Sequence, residues 1–149
     1  MPYMWINLAH GHDSQTKREL LSGLTAVAGE VLEVGAAHTH AYLNEVPLQD
    51  IGVGGEEPKV GTAILISVVM SRGRPPLVLR KLMERIADVV ESVLSMRRDA
   101  VHCVLLEQDA SNIGVGGVPL AFPSLPQWIF ENSRSVPANR SNTNDSGAE

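Results

Sequence analysis

The sequence repeats itself, and the repeat limits what the chain can fold into. Ile51-Gly52-Val53-Gly54-Gly55 returns as Ile113-Gly114-Val115-Gly116-Gly117, an offset of 62 residues, and Gly11 and Glu45 return as Gly73 and Glu107 at the same offset. Identities held in one register across a strand, helix and strand pattern indicate an internal duplication. Whatever residues 2–55 build, residues 61–117 build again.

The first copy opens with an apolar strand, Tyr3 to Leu8. The turn His10-Gly11-His12-Asp13-Ser14 follows, and its Asp13 or Ser14 can accept hydrogen bonds from the first free amides of a helix. Leu20, Leu24, Val27 and Val31 recur at three and four, which predicts a helix to about Glu33 with one apolar face and Gly35 as its stop. A second strand runs from about Thr39 to Val46, and glycines supply the positive φ of a tight hairpin after it. In the second copy, Gly61 to Met70 is a continuous apolar run of the kind shown by a strand covered on both faces. Ser71-Arg72-Gly73-Arg74 is the turn, Pro75-Pro76 opens a helix, Leu82, Ile86, Val90 and Val93 give its buried face, and Ala100 to Glu107 is the fourth strand.

Each unit pairs its strands in parallel through a right-handed helical crossover. The expected fold class is therefore α/β (α+β): tandem β-α-β units forming a four-stranded mixed sheet with two helices on one face. The other sheet face stays apolar and has to be buried by association, most simply in a ring whose sheets face a common centre. With 149 residues, 44% hydrophobic and only 4% aromatic, the core is aliphatic and one domain is expected over residues 1–131. Residues 118–131, with Pro119, Pro123 and Pro126 among Leu120, Trp128 and Phe130, read as an ordered non-helical arm, and residues 132–149 as a polar, disordered tail.

Composition excludes several classes of partner. A formal net charge of -5 offers no basic patch for nucleic acid, and the longest apolar stretch, Thr62 to Met70, is too short to span a membrane. No signal-peptide pattern precedes the first strand. The single Cys103 lies in an apolar run as a reduced thiol, which suits a cytoplasmic protein.

Chemistry gathers around Met1-Pro2 and the second turn. Removal of the initiator methionine leaves Pro2 with a secondary amine, a candidate base. Arg72 and Arg74 sit at a helix start, where cations are mildly unfavourable. A solvated turn explains them, and so does an anionic ligand gripped by the planar guanidinium fork. Near such cations, in a partly apolar pocket, the amine pKa falls toward working pH. The five histidines, among them His38 and His40 placed side by side on one strand face, lack the Cys, Asp or Glu that would complete a recognised metal spacing, so no metal or cofactor is expected. Trp5 and Tyr42 read as core or interface, or else as a pocket wall.

Proline at position 2, a short strand, a Gly-His or Gly-Arg turn, a helix, a strand and the Ile-Gly-Val-Gly-Gly hairpin resemble the tautomerase superfamily over roughly residues 2–117. The duplication resembles its fused members, among them fused 4-oxalocrotonate tautomerases, cis-3-chloroacrylic acid dehalogenase and malonate semialdehyde decarboxylase, which are typically trimers. The resemblance implies that Pro2 is a catalytic base, that Arg74 grips a substrate carboxylate, and that Arg72 matches the second arginine of the decarboxylase group. It places His40 and His102 where single-unit members carry a catalytic arginine, and puts His40, His38 and Ile113 in the substrate pocket. Ile64 falls where a second proline would stand, so one catalytic amine per chain is implied. The decarboxylase aspartate falls near His38, and Ser111-Asn112-Ile113 holds no counterpart of the dehalogenase glutamate. The resemblance therefore favours a homotrimeric keto-enol tautomerase acting on small anionic 2-hydroxy-enoic or 2-oxo acids. Decarboxylation, hydration or dehalogenation of a three-carbon acid such as malonate semialdehyde or a 3-haloacrylate is the alternative chemistry. A non-catalytic binding module on the same scaffold is the alternative class, since the first half has His12 in place of the turn arginine.

Overall fold

A computed structural model describes residues 1–59 and 61–121; the expected arm beyond residue 121 and the tail at 132–149 lie outside the described residues. Strand β1 (Tyr3–Ala9), helix α1 (Ser14–Leu32) and strand β2 (His40–Val46) form the first unit, and β3 (Ile64–Ser71), α2 (Pro76–Leu94) and β4 (Val101–Gln108) the second. The sheet order is β2-β1-β3-β4. The outer pairs are parallel and the central β1/β3 pair is antiparallel, which is the mixed sheet that the duplication predicts.

The two halves superpose in register as well as in order. Tyr3 pairs with His40 in one half, and Leu65 with His102 at the same places in the other. In the central pair, Trp5 lies opposite Ser67, its own counterpart 62 residues on. A pseudo-twofold axis therefore passes between these two residues. Minor features obey it too: a three-residue 3-10 turn before each outer strand, Ala36–His38 and Arg98–Ala100, and a left-handed residue ending each helix, Glu33 and Ser95. Each outer strand is followed by a small hairpin, closed by Val53↔Glu56 and by Val115↔Val118, with Gly54-Gly55 and Gly116-Gly117 all at positive φ.

The helices begin by different means. Asp13 caps α1 by accepting from the Thr16 amide at 2.7 Å, whereas α2 starts at Pro76, whose missing N–H costs a first turn nothing. Both helices lie on one face of the sheet. Met4, Ile6 and Leu8 of β1 and Ile66, Val68 and Met70 of β3 meet Leu20, Leu24, Leu82, Ile86 and Val90 there, and among the described residues no polar side chain is buried. The helices touch at Gly23, where a Cβ would stand 2.8 Å from Cγ1 of Val89.

The opposite face is open. Trp5, Tyr42, Leu65, Val104 and Leu106 are 40–51% exposed along it. The apolar run of β3 is thus covered on one side only within a single chain, its other side belonging to this uncovered face. No helix among the described residues is long and apolar enough to cross a membrane.

Candidate active site

The antiparallel register continues from Tyr3↔Val69 toward the chain start, which sets Pro2 beside Met70 and Met1 beside Ser71. On its other flank, the Pro2 carbonyl accepts from the His40 amide at 3.1 Å. Pro2 is thereby fixed between the start of β2 and the end of β3, and its ring is fully buried.

The turn after β3 delivers a cation to this place. The Nη1 of Arg74 donates to the Ser71 carbonyl at 2.6 Å and reaches the Ser71 hydroxyl at 3.4 Å, in a part-buried setting. The guanidinium is thus folded back over the strand end that flanks the chain start. Burial first, and the Arg74 charge second, hold the Met1 ammonium below the ordinary amino-terminal range. Gly73, at φ 109, lets the turn close, and its amide donates to the Glu107 carboxylate at 3.3 Å.

Arg72 goes the other way. Its Nε pairs with Oδ1 of Asp109 at 3.1 Å, with both side chains mostly exposed. The parallel offset that aligns Ser71 with Gln108 puts the next residues, Arg72 and Asp109, side by side. The two arginines therefore do not converge in the isolated chain.

The histidines also separate. His40 opens β2 on the open face, its ring between those of Tyr3 at 5.4 Å and Tyr42 at 6.5 Å. His38 is not its strand neighbour: it ends the exposed 3-10 turn Ala36–His38 one residue before the backbone becomes extended. The expectation that alternation sets the two side by side is corrected, because alternation holds only inside a strand. Among the described residues no three His, Cys, Asp or Glu side chains converge as metal ligands do. Cys103, on the helix side of β4, has its thiol pushed up to about 11 by burial and is a poor nucleophile.

Ile113 is buried beyond the end of β4, and its carbonyl accepts from Leu120 at 2.8 Å. The pseudo-twofold axis relates it to the rest of the site. At the opposite end of the sheet a cavity of about 1270 Å³ is lined by Ile64, His102, Ala100 and Ile51. These are the counterparts, 62 residues away, of Pro2, His40, His38 and Ile113. Equal registers in the two halves give those four positions the same mutual backbone relation at the Pro2 end. Sequence reasoning missed Ser71 and Asp109, the groups that aim the two arginines. The Asp109 contact becomes readable once the strand offset is known, whereas nothing in the sequence signals Ser71.

The family profile for tautomerase enzymes matches residues 2–61 and 65–122. Among solved structures, the chain is similar to the fused 4-OT R7, an asymmetric trimer (TM-score 0.75, 22% identity, covering 80% of this chain and 96% of that one). It is similar to the fused 4-OT Q0, a symmetric trimer, to the same degree (TM-score 0.75, 23% identity, 80% and 96%). It also resembles N1, a member of the cis-3-chloroacrylic acid dehalogenase family (TM-score 0.74, 19% identity, 89% and 98%). At these identities the likeness is one of fold. None of the curated proteins compared with the chain matches it.

Proposed function

The chain belongs to the tautomerase family, and we propose that it is a keto-enol tautomerase of small 2-hydroxy-enoic or 2-oxo acids, working as a homotrimer with Pro2 as its base. The observation that carries this reading is the placement of Arg74 against a buried chain start. The Met1 ammonium stands in for the amine that Pro2 would bear once Met1 is removed, one residue deeper in the same strand. Burial and a neighbouring guanidinium disfavour the charged form of either amine, and a neutral amine near working pH is what a general base requires.

The mechanism needs few groups. The Pro2 amine takes the proton from the 2-hydroxyl of the enol, and the resulting secondary ammonium returns a proton to carbon, leaving the 2-oxo acid and the free amine. Arg74 holds the substrate carboxylate and stabilises the enolate oxygen while the proton is in transit. Arg72 is paired only at the surface, where ion pairs are weak, so a substrate carboxylate can draw it from Asp109. His40, His38 and Ile113 complete the walls, and the open sheet face supplies the surface for trimer formation.

The test is turnover of phenylenolpyruvate and 2-hydroxymuconate by wild type shown by intact mass to lack Met1, alongside Pro2→Ala and Arg74→Ala. Ketonisation that both substitutions abolish supports the reading. A wild type inert toward both enols but active on malonate semialdehyde or a 3-haloacrylate moves the assignment to decarboxylation or hydration. Retained Met1 and no turnover favour a binding module.

A further inference from the structure

The open sheet face differs sharply between the two halves, and this asymmetry bears on how copies assemble. The inference rests on the trimer reading above. A subunit with an internal pseudo-twofold axis offers nearly the same backbone in two orientations. A ring of three can therefore hold all copies alike or one reversed, and trimers described as symmetric and as asymmetric both occur among the structures of this fold.

Side chains on the open face remove that ambiguity here. On the first half, the rings of Tyr3, Trp5, His40 and Tyr42 form one continuous layer, with neighbouring centroids 5.4–6.5 Å apart and interplanar angles of 13–30°. Beside it, Nδ2 of Asn44 donates to Oδ1 of Asn7 at 3.4 Å. Across the axis, Leu65 stands for Tyr3, Ser67 for Trp5 and Val104 for Tyr42. The amide pair is replaced by Val69 and Leu106. Of these counterparts only His40 and His102 keep their identity. One half is a flat aromatic and amide surface, and the other is aliphatic.

The occupant of this face is a second copy of the chain. Five large apolar side chains 40–51% exposed on one sheet face are more than a lone soluble subunit ordinarily leaves open. We infer that three copies close with a single orientation, so that every aromatic half meets one kind of surface and every aliphatic half another, giving a symmetric trimer with three equivalent Pro2 sites. A reversed copy would set the Asn7 and Asn44 amides where Val69 and Leu106 belong, burying polar groups without partners, and would bring Trp5 into the space left by Ser67.

Trp5 lies on the axis and reports the arrangement directly. The chain has two tryptophans, so fluorotryptophan-labelled wild type and Trp128→Phe identify the Trp5 resonance, and native mass gives the number of chains. A three-chain particle with one Trp5 resonance is the expected result. A three-chain particle with two or three Trp5 resonances overturns the single orientation while leaving the trimer intact. A one- or two-chain mass overturns the trimer itself.

Discussion

Arg72 and Arg74 leave one turn in opposite directions, and their different holders predict different consequences of substitution. Arg74 is part-buried against Ser71 beside the chain start. Arg74→Ala should lower kcat/KM by on the order of 10²–10³, as loss of a charge-stabilising donor does. It should also raise the pKa of the Pro2 amine by removing a neighbouring cation, which moves the acidic limb of the pH–rate profile to higher pH, since only the neutral amine is a base. Arg72→Ala should cost less, about tenfold or under, because its pair with Asp109 is exposed; steady-state kinetics across pH separate the two. Cys103 provides a control at the same scale. A thiol raised from 9.0 to about 11 carries roughly 100-fold less thiolate at pH 8. Labelling by a thiol reagent should be slower than in the denatured chain by about that factor. Pro2, Arg74 and Cys103 were readable from the sequence because position or neighbours mark them. The divergence of Arg72 was not, since it depends on which strand lies beside β3.

The repeat makes this chain unusually legible at the level of elements. One offset dates every boundary twice, and the strands, helices and hairpins fall within a few residues of where periodicity and glycines put them. The 3-10 turns escaped, because three residues carry no period, and His38 was misread for that reason. The helix contact escaped as well. Gly23 looks like an ordinary weak point in α1, a position where Ala would add about 1 kcal/mol of helix propensity. Its reason is Val89, whose branched end leaves no room for a Cβ. Gly23→Leu should destabilise the fold by roughly 1–3 kcal/mol through overpacking, while Ile66→Ala, in the sheet centre, should cost about 2–5 kcal/mol through the cavity it leaves. Urea unfolding read by circular dichroism measures both, and the glycine result distinguishes a packing role from mere flexibility.

For the whole molecule, the sheet has one face sealed by helices and one face exposed, and the second face decides between a chain that works alone and one that works in company. Val104 lies on that face, 43% exposed, in the middle of edge strand β4 and pointing away from the core. Val104→Asp would place a carboxylate in water if the chain were monomeric, changing stability by no more than about 0.5 kcal/mol. In a ring whose sheets face inward, the same carboxylate is buried against an apolar neighbour without a cation, a burial that costs several kcal/mol per copy. Three copies bear that cost together. Sedimentation at micromolar concentration should therefore show wild type as three chains and the variant as one, with the far-ultraviolet circular dichroism of the two alike because the helix-covered core is untouched. Turnover by the dissociated variant then reveals whether the Pro2 site is complete within one chain. Full activity would locate the site wholly at the β1/β3 end described here, whereas its loss with an intact fold would mean that a neighbouring copy closes the pocket. A variant that still sediments as three chains would show that the open face is not where the copies meet.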